Sequence, residues 1–394
     1  MSMKKQRAKY ICMLLPTSSP NGYGILAKAL IKQGFNVTII VLTKNSIRQI
    51  EKLKGINIIS IDTRGILYSP VKALLNPLAV LMITAKALRT EAGVIWGRGY
   101  AILPCMLILK LINKRVIYHI GDDDITNMME AVKKYCHLKH FLFAFRIVLQ
   151  CFEYLLIKKA DYTITLTESL KIDREKYTKN IQAVYYAVPT ISSTHLISKT
   201  LKTKLQNKIV IVYSGTIALQ KGFLEIIRAY EIIKRRIPDS ALLFVGGILP
   251  IDLNTINAQL NRKKGIYVTG WLPYHKMTSY INLGDIGLSI INPINYSYKI
   301  SLPFKLIEQM ACGLPIIAPS GFPEIERVIK EANCGYLVDH QNPEEFASAV
   351  INLATNKDKR KLLGRNATQY IEEKHNIVGF ESHINDIFHQ VLND

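Results

Sequence analysis

Lys305 and Glu308 stand three positions apart in the stretch Ser301-Leu-Pro-Phe-Lys-Leu-Ile-Glu-Gln-Met-Ala-Cys-Gly-Leu-Pro-Ile-Ile-Ala318. On a helix that separation puts both on one face, with Leu306, Ile307 and Met310 turned the other way. Pro303 predicts the helix start, where no amide hydrogen is needed, and Gly313 predicts its end. The stretch thus offers an ammonium group, free helix amides able to meet an anion, and a carboxylate able to accept hydrogen bonds from hydroxyl groups. A second cation, Lys221, closes Ile209-Val-Ile-Val-Tyr-Ser-Gly-Thr-Ile-Ala-Leu-Gln-Lys-Gly222, which reads as strand, loop and the start of a helix. A third cluster, Tyr118-His-Ile-Gly-Asp-Asp-Asp124, follows the predicted strand Arg115 to Ile120. In open α/β sheets ligands bind beyond the carboxyl ends of strands, so His119 and this loop are expected to face a ligand. The adjacent carboxylates Asp122, Asp123 and Asp124 suit a metal, recognition of hydroxyls, or a helix cap.

The Ser301 to Ala318 stretch resembles the donor-site sequence of retaining GT-B glycosyltransferases, in particular glycosyltransferase family 4. That pattern is an acid, seven residues, a second acid, then Met-Ala-x-Gly-x-Pro and a short apolar strand. Glu308 matches the second acid, whose role in the family is to bind the ribose of the nucleotide sugar. The first acid falls on Ile300, a departure; Pro303, Lys305 and Glu308 instead fit the Pro-x-Lys-x-x-Glu form of many bacterial polysaccharide members. Gly215 to Gly222 resembles the family's Gly-x-x-x-x-x-Lys-Gly element, in which a basic pair neutralises the leaving diphosphate. Lys221 matches the second member; the first falls on Thr216, and Lys305 is expected to supply the missing charge.

The same resemblance implies further contacts. Gly215, Thr216, Leu302, Pro303 and Phe304 are expected around the donor, and Trp271, in Gly270-Trp-Leu-Pro273, resembles the turn that lies against the nucleobase. Gly22 and Gly24 occupy the place of a glycine-rich loop that approaches the donor phosphate. His119 resembles the histidine that contacts the donor sugar, and Asp122 and Asp123 are assigned to the acceptor, with capping as the alternative. Retaining members need no metal, so no metal or cofactor is expected beyond the nucleotide sugar as co-substrate.

The elements that must position these residues read as repeated strand–helix units, the pattern of parallel α/β sheets. A chain of 394 residues is long for one core and natural for two domains. The expected fold is GT-B: two Rossmann-like, doubly wound domains facing a cleft, with a C-terminal helix crossing back to the first. Residues 1–195 form the acceptor domain, 196–207 a polar linker, 208–372 the nucleotide-sugar domain and 373–394 the crossover helix.

Composition narrows the partners. Residues 1–199 hold 29 Lys and Arg against 12 Asp and Glu, a balance of +17, whereas residues 200–394 balance at +4. Such asymmetry favours an anionic partner for the first half. Between Lys133 and Lys159, Lys133, Lys134, Lys139, Arg146, Lys158 and Lys159 interleave with Phe141, Phe143, Phe145 and Phe152, which suits an anionic membrane surface. Nucleic acid is not expected, since no recognised binding module is visible. The six cysteines show no C-x-x-C spacing and read as free thiols. Pro16 ends the first apolar run too early for a signal peptide, and Arg146, Gln150 and Glu153 interrupt the best candidate for a membrane span, Phe141 to Ile157. The expectation is a cytoplasmic enzyme, peripheral on the inner face of the cell membrane. It would move a sugar from a nucleotide-sugar donor to a glycan or lipid-linked acceptor in capsule, O-antigen or exopolysaccharide synthesis. The alternatives are a catalytically silent relative serving assembly and, more remotely, a nucleic-acid-binding protein.

Overall fold

The computed structural model describes residues 10–15, 20–41, 56–61, 77–99, 102–121, 123, 125–126, 129, 139–185, 187, 197–261 and 263–393. The chain divides into two compact units, one of residues 1–187 with 378–394, the other of residues 188–377.

In the first unit, seven short runs rich in Val and Ile become the strands β1 (Tyr10–Leu15), β2 (Asn36–Val41), β3 (Ile56–Ser60), β4 (Val94–Arg98), β5 (Arg115–Ile120), β6 (Tyr162–Thr165) and β7 (Ile181–Ala183). They pair in the order β3-β2-β1-β4-β5-β6-β7, all parallel. Parallel strands covered on both faces bury consecutive side chains, which is why β1 reads as a continuous apolar run and why the last five residues of β5, His119 among them, are all buried. The second unit repeats the plan with β8 (Ile209–Ser214), β9 (Ser240–Val245), β10 (Ile266–Val268), β11 (Ile286–Leu288), β12 (Ile316–Pro319) and β13 (Gly335–Val338). Their order is β10-β9-β8-β11-β12-β13, again parallel. In both sheets the order reverses once, beside β1 and beside β8. A reversal sends the flanking loops apart and leaves a crevice at the strands' carboxyl ends, the usual ligand position in such sheets. The architecture is that of GT-B proteins, two Rossmann-like domains.

The last helix, Ile377–Asn393, completes the first unit's core. Phe380, Ile384, Ile387, Phe388 and Val391 pack among Met13, Val94 and Trp96. The Phe388 ring stacks on Trp96 at 5.7 Å and meets Phe35 at 5.2 Å.

Three sequence expectations change here. Gly22 and Gly24 lie in the helix Pro20–Lys32, not in a loop preceding a helix. Pro20 is its first residue, and its fixed φ pre-sets a first helical turn. The stretch expected as a linker over 196–207 contains the helix Lys199–Leu205, whose Leu205 is buried in the second unit's core beside Val210. Leu201 and Leu205 are four apart and share a face, enough to dock a short helix despite its lysines and threonines.

The third change concerns Lys139–Lys159, 21 residues in one helix. By length and composition the segment His140–Lys159 is long and apolar enough to cross a membrane, contrary to the sequence expectation. Its Phe145, Leu149, Glu153, Leu156 and Ile157 are buried against the first domain. Glu153, the one carboxylate in the helix, accepts a hydrogen bond from Tyr118 Oη at 3.4 Å and pairs with Arg174 at 3.3 Å. Lys133 and Lys134 lie outside the described residues.

Candidate active site

Seven of the residues singled out from sequence converge on one pocket of about 340 Å3 in the second domain: Gly215, Thr216, Lys221, Pro303, Phe304, Lys305 and Glu308. It opens beyond the carboxyl ends of β8 and β11, where the strand order reverses. Tyr213, Ser214, Tyr274, Met277, Ile291 and Tyr298 complete the wall.

Local backbone explains the convergence. Gly215 leaves β8 at φ +106° and Gly222 closes the Leu219–Lys221 turn at φ +84°, left-handed geometries that glycine adopts without strain. Between them the chain folds back so that Lys221 lines the pocket rather than continuing the strand. Lys305 and Glu308 come from the helix Phe304–Ala311. The helix is anchored by Gln309, whose Nε2 donates to Ser214 Oγ at 3.0 Å and to the Leu288 carbonyl at 3.1 Å. One side chain thereby ties the helix to both β8 and β11.

Lys305 reaches over Tyr213. Its Nζ lies 4.3 Å from the ring centroid, donates to Tyr213 Oη at 3.1 Å and donates to the Ile290 carbonyl. Tyr213 Oη in turn donates to the Thr216 carbonyl at 3.2 Å. Burial, and then the charge of Lys221, hold the Lys305 ammonium well below the usual lysine range. Burial lowers Lys221 as well. Lys221 raises the cost of charging Lys305 in this pocket, so the arrangement favours an anion placed between or beside them. Glu308 is only 6 % exposed. Burial pushes its carboxyl upward, and a hydrogen bond with the Tyr274 hydroxyl opposes that shift.

Other expected site residues are placed differently. Ile300, where the resemblance would put a first acid, is buried in packing. Trp271 and Leu302 do not line the pocket. The Trp271 ring lies across Gly247, where an added Cβ would come within 2.3 Å of it, and Leu302 packs against the core. His119, expected to touch the sugar, is enclosed in the first domain at 2 % exposure, and its Nδ1 accepts from Trp96 Nε1 at 3.3 Å. Burial and then Arg98 keep the imidazole neutral, its pKa well below the ordinary value. Asp123 follows the capping alternative: its carboxylate accepts from Thr126 N at 3.3 Å and from Thr126 Oγ1 at 2.6 Å. Asp122 and Asp124 lie outside the described residues. Tyr213, Tyr274 and Gln309 were not singled out from sequence; Gln309 adjoins Glu308, but only the sheet behind the helix gives it a task.

Residues 198–370, nearly the whole second domain, match the family model of "Glycosyl transferases group 1", so the domain bearing this pocket is a group 1 glycosyltransferase domain. Among particular proteins, the chain is 28 % identical over 247 residues to an uncharacterized glycosyltransferase of Methanocaldococcus jannaschii, an alignment covering 61 % of each chain. It is 24 % identical over 164 residues to a GDP-mannose-dependent alpha-(1-6)-phosphatidylinositol monomannoside mannosyltransferase of Mycolicibacterium smegmatis, covering 41 % of this chain and 42 % of that one. The chain therefore spans less than two thirds of either relative. In fold it is similar to HepE of Anabaena, solved with UDP and glucose, at a TM-score of 0.71 and 14 % identity, covering 96 % of this chain and 98 % of that one.

Proposed function

We propose that the protein is a retaining glycosyltransferase of the family 4 type that transfers a sugar from a nucleoside-diphosphate sugar to a glycan or lipid-linked acceptor in cell-surface polysaccharide synthesis. The observation that carries this reading is the meeting of Lys221, Lys305 and Glu308 in one pocket at the carboxyl ends of β8 and β11. The two lysines meet the diphosphate and Glu308 accepts the ribose hydroxyls. As the bond between the anomeric carbon and the diphosphate oxygen breaks, negative charge grows on that oxygen beside Lys221 and Lys305, and stabilising it there lowers the barrier. The acceptor oxygen bonds to the anomeric carbon on the face the diphosphate leaves, and the departing phosphate takes the acceptor's proton. This scheme places the neutralising charge on protein ammonium groups and requires no metal.

A lipid-linked acceptor and a peripheral position on the inner face of the cell membrane belong to the same reading. The helices Pro77–Arg89, Leu103–Leu111 and Lys139–Lys159 pack side by side. They and the residue following the second expose Leu78, Leu81, Leu111, Ile112, Phe141, Phe143, Ile147 and Val148. Arg89, Arg146, Lys158 and Lys159 are exposed on these helices, whereas their one carboxylate, Glu153, is turned inward. Apolar groups beside cations fit an anionic bilayer surface.

The deciding experiment offers the purified protein UDP, GDP and their sugars in a thermal-shift screen. A nucleotide at a hundred times its Kd adds about 2.7 kcal/mol of stability, a readily seen shift. Turnover of the stabilising donor, with the product anomer assigned by NMR, then tests retention. Absence of stabilisation by every nucleotide overturns the donor site; binding without turnover leaves a silent assembly partner, and an inverted product overturns retention.

A further inference from the structure

Asn292, in the loop that leaves β11, is the middle of a hydrogen-bonded chain behind the pocket wall. Its Nδ2 reaches Glu225 Oε1 at 3.5 Å, and its Oδ1 lies 2.8 Å from His340 Nε2. A carboxylate only accepts, so the amide nitrogen faces Glu225 and the amide oxygen faces His340. The imidazole is 5 % exposed and meets the Phe322 ring edge-on at 6.4 Å. Burial lowers it below the ordinary histidine range, against the opposing charges of Glu225 and Asp339, so at neutral pH it carries one hydrogen. Facing an amide oxygen, that hydrogen sits on Nε2. His340 therefore donates to Asn292, and Asn292 donates to Glu225. The other carboxylate oxygen, Glu225 Oε2, is buried with no hydrogen-bond partner among the described residues, so Glu225 depends on this one donor.

The two segments joined in this way carry the pocket's two cations. The loop of Asn292 presents the Ile290 carbonyl, which accepts from Lys305 Nζ, and Ile291, which lines the pocket. Glu225 stands in the first turn of the helix Phe223–Arg236, one turn beyond Lys221, and Gly222 joins that helix to the turn bearing Lys221. The loop lies against this junction: a Cβ added to Gly222 would come within 2.6 Å of Ile290 Cγ2 and 3.8 Å of Asn292 Oδ1. We propose that Asn292 is a positioning residue which, oriented by His340 and bonded to Glu225, fixes the spacing of Lys221 and Lys305 and so matches the pocket to a diphosphate. The proposal rests on the donor-site reading. A monophosphate can lie against one ammonium group, whereas a diphosphate spans two, so the diphosphate alone reads their separation.

The test uses the full-length protein with Asn292→Ala, which breaks both bonds, His340→Leu, which removes the donor to Asn292, and His340→Gln, whose amide nitrogen can take the place of Nε2. Calorimetry gives the affinity of each for UDP against UMP and for GDP against GMP, with melting temperatures recorded beside it. Asn292→Ala is expected to weaken diphosphate binding by about tenfold, the scale of one charge-assisted hydrogen bond, with monophosphate affinity little changed. His340→Leu should follow in the same direction, and His340→Gln should retain most of the native preference for diphosphate. Should Asn292→Ala fail to fold, His340→Leu against His340→Gln carries the same comparison. Equal loss for mono- and diphosphate, or equal loss in both His340 variants, makes the chain a packing device and overturns the proposal. Diphosphate binding unchanged in Asn292→Ala overturns it alone, while native protein that binds none of the four nucleotides overturns the donor-site reading and the proposal with it.

Discussion

Glu308 and the two lysines depend on pH in opposite directions. Burial raises the Glu308 carboxyl, so donor affinity should fall as pH drops through a value above the ordinary carboxylate range. Lys305 is depressed, so the free site loses that cation, and affinity for a diphosphate, as pH rises through a value below the ordinary lysine range. Calorimetry with a nucleoside diphosphate should trace a bell, with Lys305→Ala flattening its alkaline side and Glu308→Gln its acid side. Glu308→Gln should keep the fold and lose about ten- to a hundredfold in kcat/KM, the worth of a charge-assisted hydrogen bond of about 1.5 to 3 kcal/mol. Unchanged kcat/KM would remove Glu308 from the donor site. Lys221→Ala should lower kcat more than it raises donor KM, because its partner charge grows as the bond breaks. A pure KM effect would restrict Lys221 to holding the bound donor. These residue types and spacings were legible in the sequence. The shifts were not, because burial is a property of the folded surroundings.

At the scale of elements, the helix Phe304–Ala311 is aimed by Gln309 and the helix Lys139–Lys159 by Glu153. Gln309→Leu removes the bonds to Ser214 and to the Leu288 carbonyl, leaving buried polar groups unpaired at a cost of about 1 to 3 kcal/mol. The melting temperature should fall, and with it the donor kcat/KM, as the helix loses its fixed place; an unaltered kcat/KM would show that packing alone aims the helix. For the first domain, the expected observation is capture of the whole protein by phosphatidylglycerol vesicles at low salt, its release as salt rises, and little capture by phosphatidylcholine. Each basic residue near an anionic surface contributes about 1 kcal/mol, so reversing Arg146, Lys158 and Lys159 should weaken capture by at least tenfold without altering nucleotide binding. Indifference to anionic vesicles would leave a soluble acceptor. The sequence showed the alternation of Phe with Lys and Arg between Lys133 and Lys159. Only packing sorted Phe145 inward and Phe141 and Phe143 outward.

At the scale of the molecule, the chain's last helix belongs to the core of its first domain. Phe388→Ala opens a cavity beside Trp96 and Phe35, and a buried phenylalanine lost in this way costs about 3 to 5 kcal/mol. The unfolding transition of the first unit should move to lower temperature while nucleotide-induced stabilisation of the second persists. A single transition, or two that move together, would show that the units are coupled; a first transition that does not move would show that Phe388 carries little of that core's stability.

The sequence by itself determined the alternation of strands and helices, the two-domain plan and the grouping of Lys221, Lys305 and Glu308 as candidates for one site. These follow from local periodicity, from caps and from a motif confined to a short stretch. The tertiary structure alone decided that Gly22 and Gly24 start a helix, that Trp271 rests on Gly247 outside the pocket, that Asp123 caps a turn, and that His119 is enclosed behind Trp96. It also supplied Tyr213, Tyr274 and Gln309, which meet Lys305, Glu308 and Ser214 across separations that no window of sequence spans. Spacing along a chain fixes which side chains share a face of their own element; what that face meets is set by the order in which the strands pair.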